Sequence, residues 1–133
     1  MAKVRVFGAA ATAAAGLLIA SAAWAATPAG GLPPSGTYAC MAGSGLGYGN
    51  LEINGATYRG VFYTPAGAFH ALRAGPDGLA FTGGLGDFEA AGARPQRADY
   101  MGPDGSSNHQ PWIRIGYQTP GGNTEELDCE RQP

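Results

Sequence analysis

Lysine is almost absent from this sequence, and cysteine and histidine occur only twice each. The one lysine, Lys3, lies in a segment that we predict is removed. The remaining chain therefore excludes Schiff-base chemistry, a P-loop lysine and a lysine general base. The two histidines, His70 and His109, do not have the spacing of a metal site, and no Cys-rich or His-rich cluster is present. The sequence thus predicts no metal site, no cofactor and no catalytic residues that spacing alone can identify.

The first 25 residues have the three parts of an export signal. Lys3 and Arg5 form a basic start, an uncharged run rich in alanine and glycine follows, and AWA at 23–25 supplies the small-x-small cleavage pattern. We predict a signal peptide over 1–25, with cleavage before Ala26. An uncleaved membrane anchor is the alternative, since an apolar run of about 18 residues approaches the length that spans a bilayer. We expect a periplasmic or secreted protein with no stable membrane insertion after cleavage.

Residues 26–133 form a chain of 108 residues, which is enough for one small domain. The stretch ATPAGGLPP at 26–34 predicts a flexible tether, and 35–133 is the predicted single β-domain. Six basic residues remain against ten acidic ones, so the formal charge of this part is −4. That sign argues against nucleic acid and anionic membrane surfaces as partners.

Cys40 and Cys129 form a single pair near the two ends of an exported chain. Two free thiols would be an unusual use of cysteine in an oxidising compartment, so we predict a disulfide between them. Two buried reduced thiols are the alternative. The bridge would close a loop of about 90 residues and stabilise the fold by roughly 4 to 5 kcal/mol. It would hold the first and last strands side by side, or join them across two packed sheets.

Turn-forming pairs such as Asn54-Gly55 recur along the chain and leave segments that are too short for helices. The alternation in LEINGATYRGVFYT predicts a hairpin with a type I′ turn at Asn54-Gly55. We expect an all-β antiparallel meander of about eight or nine short strands that closes into a barrel or a sandwich. After the first strand near Ser35 and this hairpin, strands are expected at Ala68–Leu72, Leu79–Thr82, Asp87–Ala90, Ala98–Met101, Trp112–Gln118 and Glu125–Glu130.

The segment WIRIGYQ contains the strongest signal of a binding surface. Ile113, Ile115 and Tyr117 share one face of the predicted strand, so Trp112 and Arg114 share the other and can stack. An outward tryptophan beside an arginine has the composition that binding hot spots favour. The alternative is a two-sided sheet in which Trp112 fills a second small core.

Two further residues complete the predicted patch. His109 lies in the loop GSSNHQP just before Trp112, and Tyr48 lies in the glycine-rich stretch GSGLGYGN, at whose tip it could be exposed. That stretch matches neither a P-loop nor a dinucleotide fingerprint. The segment DGSSN at 104–108 begins like a calcium loop but lacks the glycine and glutamate that the motif needs. We interpret the glycine-rich stretch as a mobile loop or a bulged edge strand, and DGSSN as an ordinary polar turn.

With Tyr38-Ala39-Cys40 in the first strand and Cys129 in the last, the chain resembles the MliC-type periplasmic lysozyme inhibitors in size and general design. The resemblance implies a small β-barrel. The inhibitory Ser-Gly-x-x-Tyr motif of that family is absent, since SGTY at 35–38 is one residue too short, so no functional residue carries over. The chain also resembles exported proteobacterial proteins with a Tyr-x-Cys opening and a terminal cysteine, which implies no activity.

The sequence does not identify a specific biochemical function. We expect a non-catalytic domain of the cell envelope that binds a protein or a small molecule. A small periplasmic hydrolase, in which carboxylates and His109 converge in a cleft, is one alternative. An envelope structural protein is the other.

Overall fold

The structure is a computed structural model, and it describes residues 27–43, 45–62, 67–86, 89 and 91–133. The elements of this part of the chain are eight antiparallel strands, which form one sheet curled into a nearly closed barrel. The strands are β1 Gly36–Ala42, β2 Gly47–Asn54, β3 Thr57–Val61, β4 His70–Gly75, β5 Gly78–Phe81, β6 Arg94–Gly102, β7 Trp112–Gln118 and β8 Thr124–Arg131.

The strand order is β5-β4-β3-β2-β1-β8-β7-β6. Strands that follow one another in the sequence are paired, except β5 and β6, and the first strand also pairs with the last. The sheet therefore closes at the chain ends and opens in mid-chain, between β5 and β6. At this seam the backbone of Gly78, which has a φ of +98°, lies directly against the Ala98 carbonyl. A side chain at position 78 would collide with that carbonyl, so glycine lets the two edges approach.

The core fills the inside of the barrel. Because successive strand residues point to opposite faces, the alternation of each strand sends one set of side chains inward. The large side chains among them are almost fully buried, and they close the space that a wider barrel would leave for a ligand. The largest of these are Tyr38, Leu51, Tyr58, Ile113, Ile115 and Leu127, and Phe62 and Leu85 join the core from outside the strands.

Cys40 and Cys129 are joined by a disulfide, as the sequence predicts. They are directly opposed in the register of β1 and β8, and both are buried. The bridge therefore holds the first and last strands side by side and does not join two packed sheets. It links the two strands whose pairing closes the barrel.

The β2–β3 hairpin has a different turn from the predicted one. Asn54 pairs with Thr57, so the two turn residues are Gly55 and Ala56, one position later than expected. Gly55 has a φ of +60°, and Ala56 has no positive φ. This combination is a type II′ turn, with glycine in its first central position. The Gly55 amide donates to Ser35 Oγ at 2.9 Å, and the Thr57 hydroxyl donates to the Asn54 carbonyl at 2.7 Å, which fixes this register.

Strand positions in the middle of the chain differ most from the predictions. β4 begins two residues later than expected and β6 four residues earlier. β6 includes Pro95, beside which the register shifts as in a bulge. Because β6 pairs with β7 alone among the described strands, it is an edge strand, where proline is tolerated. The predicted strand Asp87–Ala90 lies outside the described residues except for Glu89, whose amide donates to the Gly86 carbonyl at 3.1 Å.

The segment 27–34, part of the predicted tether, contacts the barrel. The Ala29 amide donates to the Tyr100 carbonyl at 2.9 Å, on the edge of β6 that faces the seam. Pro33 is buried, and the Tyr38 hydroxyl donates to the Pro34 carbonyl at 2.6 Å. The predicted signal peptide at 1–25 lies outside the described residues. Within the described part, no helix is long and apolar enough to cross a membrane.

Candidate functional site

A groove of about 450 Å³ lies on the outside of the barrel, where β1, β8 and β7 meet the loop 103–111. Its walls combine apolar side chains from two of the strands with carboxylates from the strand between them. The residues that line it include Ala39, Met41, Gly105, Trp112, Asp128 and Glu130.

The register of the three strands brings these residues together. Trp112 on β7 is opposite Glu130 on β8, and Glu130 is in turn opposite Ala39 on β1. In the next pair on the same face of the sheet, two residues along, Asp128 on β8 is opposite Met41 on β1. The alternate residues of these strands, the two cysteines among them, point into the core. The alternation that buries the disulfide therefore also places the groove residues outside.

Trp112 and Met41 form the apolar wall. Met41 is 47% exposed, which is unusual for a large apolar strand residue, and Trp112 is partly buried. Gly105 lies so close to the indole that a Cβ at this position would be 2.6 Å from Trp112 Nε1. This nitrogen is buried and has no hydrogen-bond partner among the described residues. The loop 103–111 thus holds the indole ring in one position by close packing.

Asp128 and Glu130 form the acidic side of the groove. Glu130 Oε1 accepts a hydrogen bond from Asn108 Nδ2 at 3.1 Å. Desolvation in the groove and the nearby charge of Glu126 raise the pKa of Asp128 to about 6, and Arg114 only partly opposes this shift. Within the part of the chain that the structure describes, neither Asp128 nor Glu130 forms an ion pair. The groove therefore contains carboxylates that no cation among the described residues neutralises by direct contact.

Of the predicted patch, Trp112 and Arg114 share the outer face of β7, as expected. Arg114 does not turn towards the indole, since its Nε lies 3.3 Å from Glu126 Oε2 and its side chain is only 14% exposed. A cation–π contact among the described residues joins Arg59 and Phe69 instead, at 4.5 Å. Arg114 therefore borders the acidic strand as a structural partner of Glu126.

His109 and Tyr48 do not line the groove. His109 has a φ of +59° and completes a turn in which its amide donates to the Ser106 carbonyl at 3.0 Å. Its ring is largely exposed beside Asp104, with 3.3 Å between Nδ1 and Oδ1. Tyr48 belongs to β2, is half-buried, packs against the core and interacts with Tyr117. The expectation of an exposed Tyr48 at a loop tip is wrong, because the β2 ladder begins before it.

Met41, Asp128 and Glu130 line the groove but are not among the site residues predicted from the sequence. The signal for the carboxylates was present, since Glu126, Asp128 and Glu130 alternate along one face of the last strand. The sequence of a single strand does not show which strands lie beside it in the sheet. Only the closure of β8 between β1 and β7 places these carboxylates beside Met41 and Trp112.

The two histidines do not lie together in the described structure. His70 lies near Tyr58, with ring centroids 6.1 Å apart, on strands remote from the loop of His109. His109 and Asp104 pair, but both are well exposed, and the Ser106 hydroxyl accepts a hydrogen bond from the Gln110 amide instead of joining them. No group of three or more metal-binding side chains occurs in the described part of the chain.

No protein-family model, curated protein or solved structure matches this chain. The resemblance to MliC-type inhibitors therefore stays a prediction, based on the two cysteine strands and the size of the domain.

Proposed function

We propose that the protein is an exported, non-catalytic binding domain and that the groove between β1, β8 and β7 is its binding surface. The observation that carries this proposal is the juxtaposition of two kinds of side chain. The apolar groups of Trp112 and Met41 lie beside Asp128 and Glu130, which form no ion pair within the described residues. Such a surface favours a partner that covers the apolar area and satisfies the carboxylates.

The composition and size of the groove support a binding role. Tryptophan is enriched among the residues that dominate binding energies, and methionine adapts its shape to a partner. A volume of about 450 Å³ also falls within the range of ligand sites, and it accommodates a side chain or a short segment of a partner.

The position of the disulfide supports the same role. Cys40 lies between Ala39 and Met41 on β1, and Cys129 lies between Asp128 and Glu130 on β8. The covalent link therefore lies directly beneath the groove and fixes two of its three strands, β1 and β8. A rigid surface loses less conformational entropy when a partner binds, so more of the contact energy contributes to affinity.

The disulfide also supports a location outside the cytoplasm, since such bonds persist in oxidising compartments. Together with the predicted signal peptide, it favours the periplasm or the exterior of the cell as the place of action. A partner is then expected among molecules of the cell envelope or its surroundings.

The test is site-specific photo-crosslinking. A photo-reactive amino acid replaces Met41 in the groove, and in a matched control protein it replaces Phe69, an exposed apolar residue outside the groove. Each protein is produced in an exporting bacterial cell and irradiated, and the products are identified by mass spectrometry. We expect a discrete adduct at position 41 that is absent at position 69 and is lost when Trp112→Ala is added.

Adducts of the same kind at both positions, or none at position 41, would contradict the proposal. Thermal unfolding of each variant checks the fold, so that loss of the adduct with Trp112→Ala is not mistaken for unfolding. A folded Trp112→Ala protein that still forms the adduct would show that the groove is not the contact surface.

A further inference from the structure

We infer that the groove binds a basic side chain, lysine or arginine, presented by a partner protein. The inference depends on the proposed function, because it names the chemistry that the proposed binding surface recognises. It rests on the distribution of charge, on the apolar wall and on the geometry of β8.

The charge distribution on the outer face of β8 favours a cation. Glu126, Asp128 and Glu130 follow one another on this face. Arg114, which lies opposite Asp128 on β7, is engaged by Glu126 at the end of the row. Two carboxylates are therefore left facing the groove without an ion pair in the described residues. An anionic ligand would be repelled here, and a neutral ligand would leave the charges partly desolvated and unpaired.

The apolar wall favours a cation with a long hydrocarbon stem over a small ion. Trp112 and Met41 flank the carboxylates on the β7 side and the β1 side. The methylene groups of lysine or arginine can pack on these side chains while the charged end reaches Asp128 or Glu130. An indole face also attracts an ammonium or guanidinium group. A bare metal ion would use the carboxylates but gain nothing from the apolar wall.

The electrostatic state of Asp128 supports the same ligand. On its own strand Asp128 faces Glu126 and Glu130, on β7 it is opposite Arg114, and on β1 it is opposite the uncharged Met41. The net effect is a pKa raised to about 6. A cation bound in the groove would oppose this shift, so binding would release protons below neutral pH. Affinity should therefore decrease as the pH falls through about 6.

The experiment uses three short peptides that differ at one position. The probe is acetyl-Gly-Leu-Lys-Leu-Gly-amide, and the matched peptides carry norleucine or glutamate in place of lysine. Trp112 reports binding by fluorescence, because the other tryptophan, Trp24, lies in the predicted signal peptide. We expect the lysine peptide to bind at least about tenfold more tightly than the norleucine peptide, as loss of a charge-assisted contact implies, and the glutamate peptide not to bind.

Isosteric variants then locate the contact. Asp128→Asn and Glu130→Gln should each weaken binding of the lysine peptide by about tenfold. The control Glu52→Gln removes a carboxylate from the outer face of β2, outside the groove, and should leave the affinity unchanged. For the unmodified protein, affinity should fall with added salt, a result that does not depend on the folding of any variant.

Several outcomes would overturn the inference. Equal binding of the lysine and norleucine peptides would mean that the groove recognises apolar groups alone. Equal or tighter binding of spermidine would make a free polyamine, not a protein side chain, the ligand. If no peptide binds while position 41 still cross-links to a partner, this inference fails and the proposed function stands. If position 41 forms no adduct, both fail.

Discussion

At the scale of single residues, Asp128 links the groove to the stability of the fold. Its pKa is about 6 in the folded protein, against an ordinary value of 3.8, so the folded state holds this proton more tightly than the unfolded state does. The contribution of Asp128 to stability is therefore greatest at low pH and decreases as the pH rises from about 4 to about 6. Above that range the ionised carboxylate opposes folding.

The variant Asp128→Asn tests this linkage. At neutral pH the amide should raise the free energy of unfolding by about 1 kcal/mol, a value that allows for the solvent exposure of this side chain. The difference from the unmodified protein should shrink as the pH falls and vanish below about pH 3, where the carboxyl is protonated in both the folded and the unfolded state. Urea unfolding at a series of pH values measures it. An amide variant that is less stable at neutral pH would show that Asp128 is a structural ion-pair partner.

The same variant separates stability from binding. If Asp128 is held in the groove for a ligand, its removal should increase stability and decrease affinity for the lysine peptide, as functional residues often do. Removal of a purely structural carboxylate would lower both the stability and the affinity. The opposite signs of the two effects are the signature that the proposal requires.

At the scale of elements, the loop 103–111 controls the shape of the groove through one glycine. Gly105 has an ordinary φ, but a Cβ there would lie 2.6 Å from Trp112 Nε1 and 3.0 Å from the Met101 carbonyl. Gly105→Ala should therefore displace the loop or the indole and lower stability by about 1 to 3 kcal/mol. The shift should also change the fluorescence of Trp112.

Gly121→Ala is the matched control in another loop. A Cβ at position 121 would meet only Thr119 Oγ1, at an ordinary distance of 3.8 Å. Its stability and fluorescence should stay close to those of the unmodified protein. If Gly105→Ala behaves in the same way, the loop does not hold Trp112 by close packing.

Strand prediction succeeded where apolar and polar residues alternate strongly. It failed where tertiary contacts or the edge position of a strand set the boundaries. Ile113, Ile115 and Tyr117 identified the buried face of β7 from the sequence alone, and the structure confirms it. The β2–β3 turn moved by one residue because contacts of Ser35 and Thr57 choose between two registers that both keep the same faces inward. The early start of β6 could not be predicted because Pro95 indicates the end of a strand, unless the strand is known to lie at the edge of a sheet.

At the scale of the whole molecule, the disulfide joins the strands that close the barrel. Cys40→Ala combined with Cys129→Ala should lower the free energy of unfolding by roughly 4 kcal/mol, since the bridge closes a loop of 89 residues in sequence separation. Urea unfolding of the oxidised protein and the variant measures the difference. Equal stability of the two proteins would show that the β1–β8 ladder holds the barrel closed without the bridge.

The sequence could not choose between barrel and sandwich, because the cysteine pair is compatible with both. Pairing of β1 with β8 curls the sheet into a barrel, and this pairing depends on contacts between residues almost 90 positions apart. The candidate site has the same origin. Trp112 was identifiable from β7 alone, whereas Met41 and Asp128 join it only through closure of the sheet.

The central claim is that the groove between β1, β8 and β7 is the binding surface, and amide shifts in nuclear magnetic resonance test it most directly. The isotope-labelled protein is titrated with the lysine peptide, and the backbone amides are followed. The account predicts shifts concentrated at 39–43, 105–112 and 128–132, with 70–81 on β4 and β5 unchanged. Shifts centred on the seam between β5 and β6 or on Arg59 and Phe69, or no shifts at all, would contradict it.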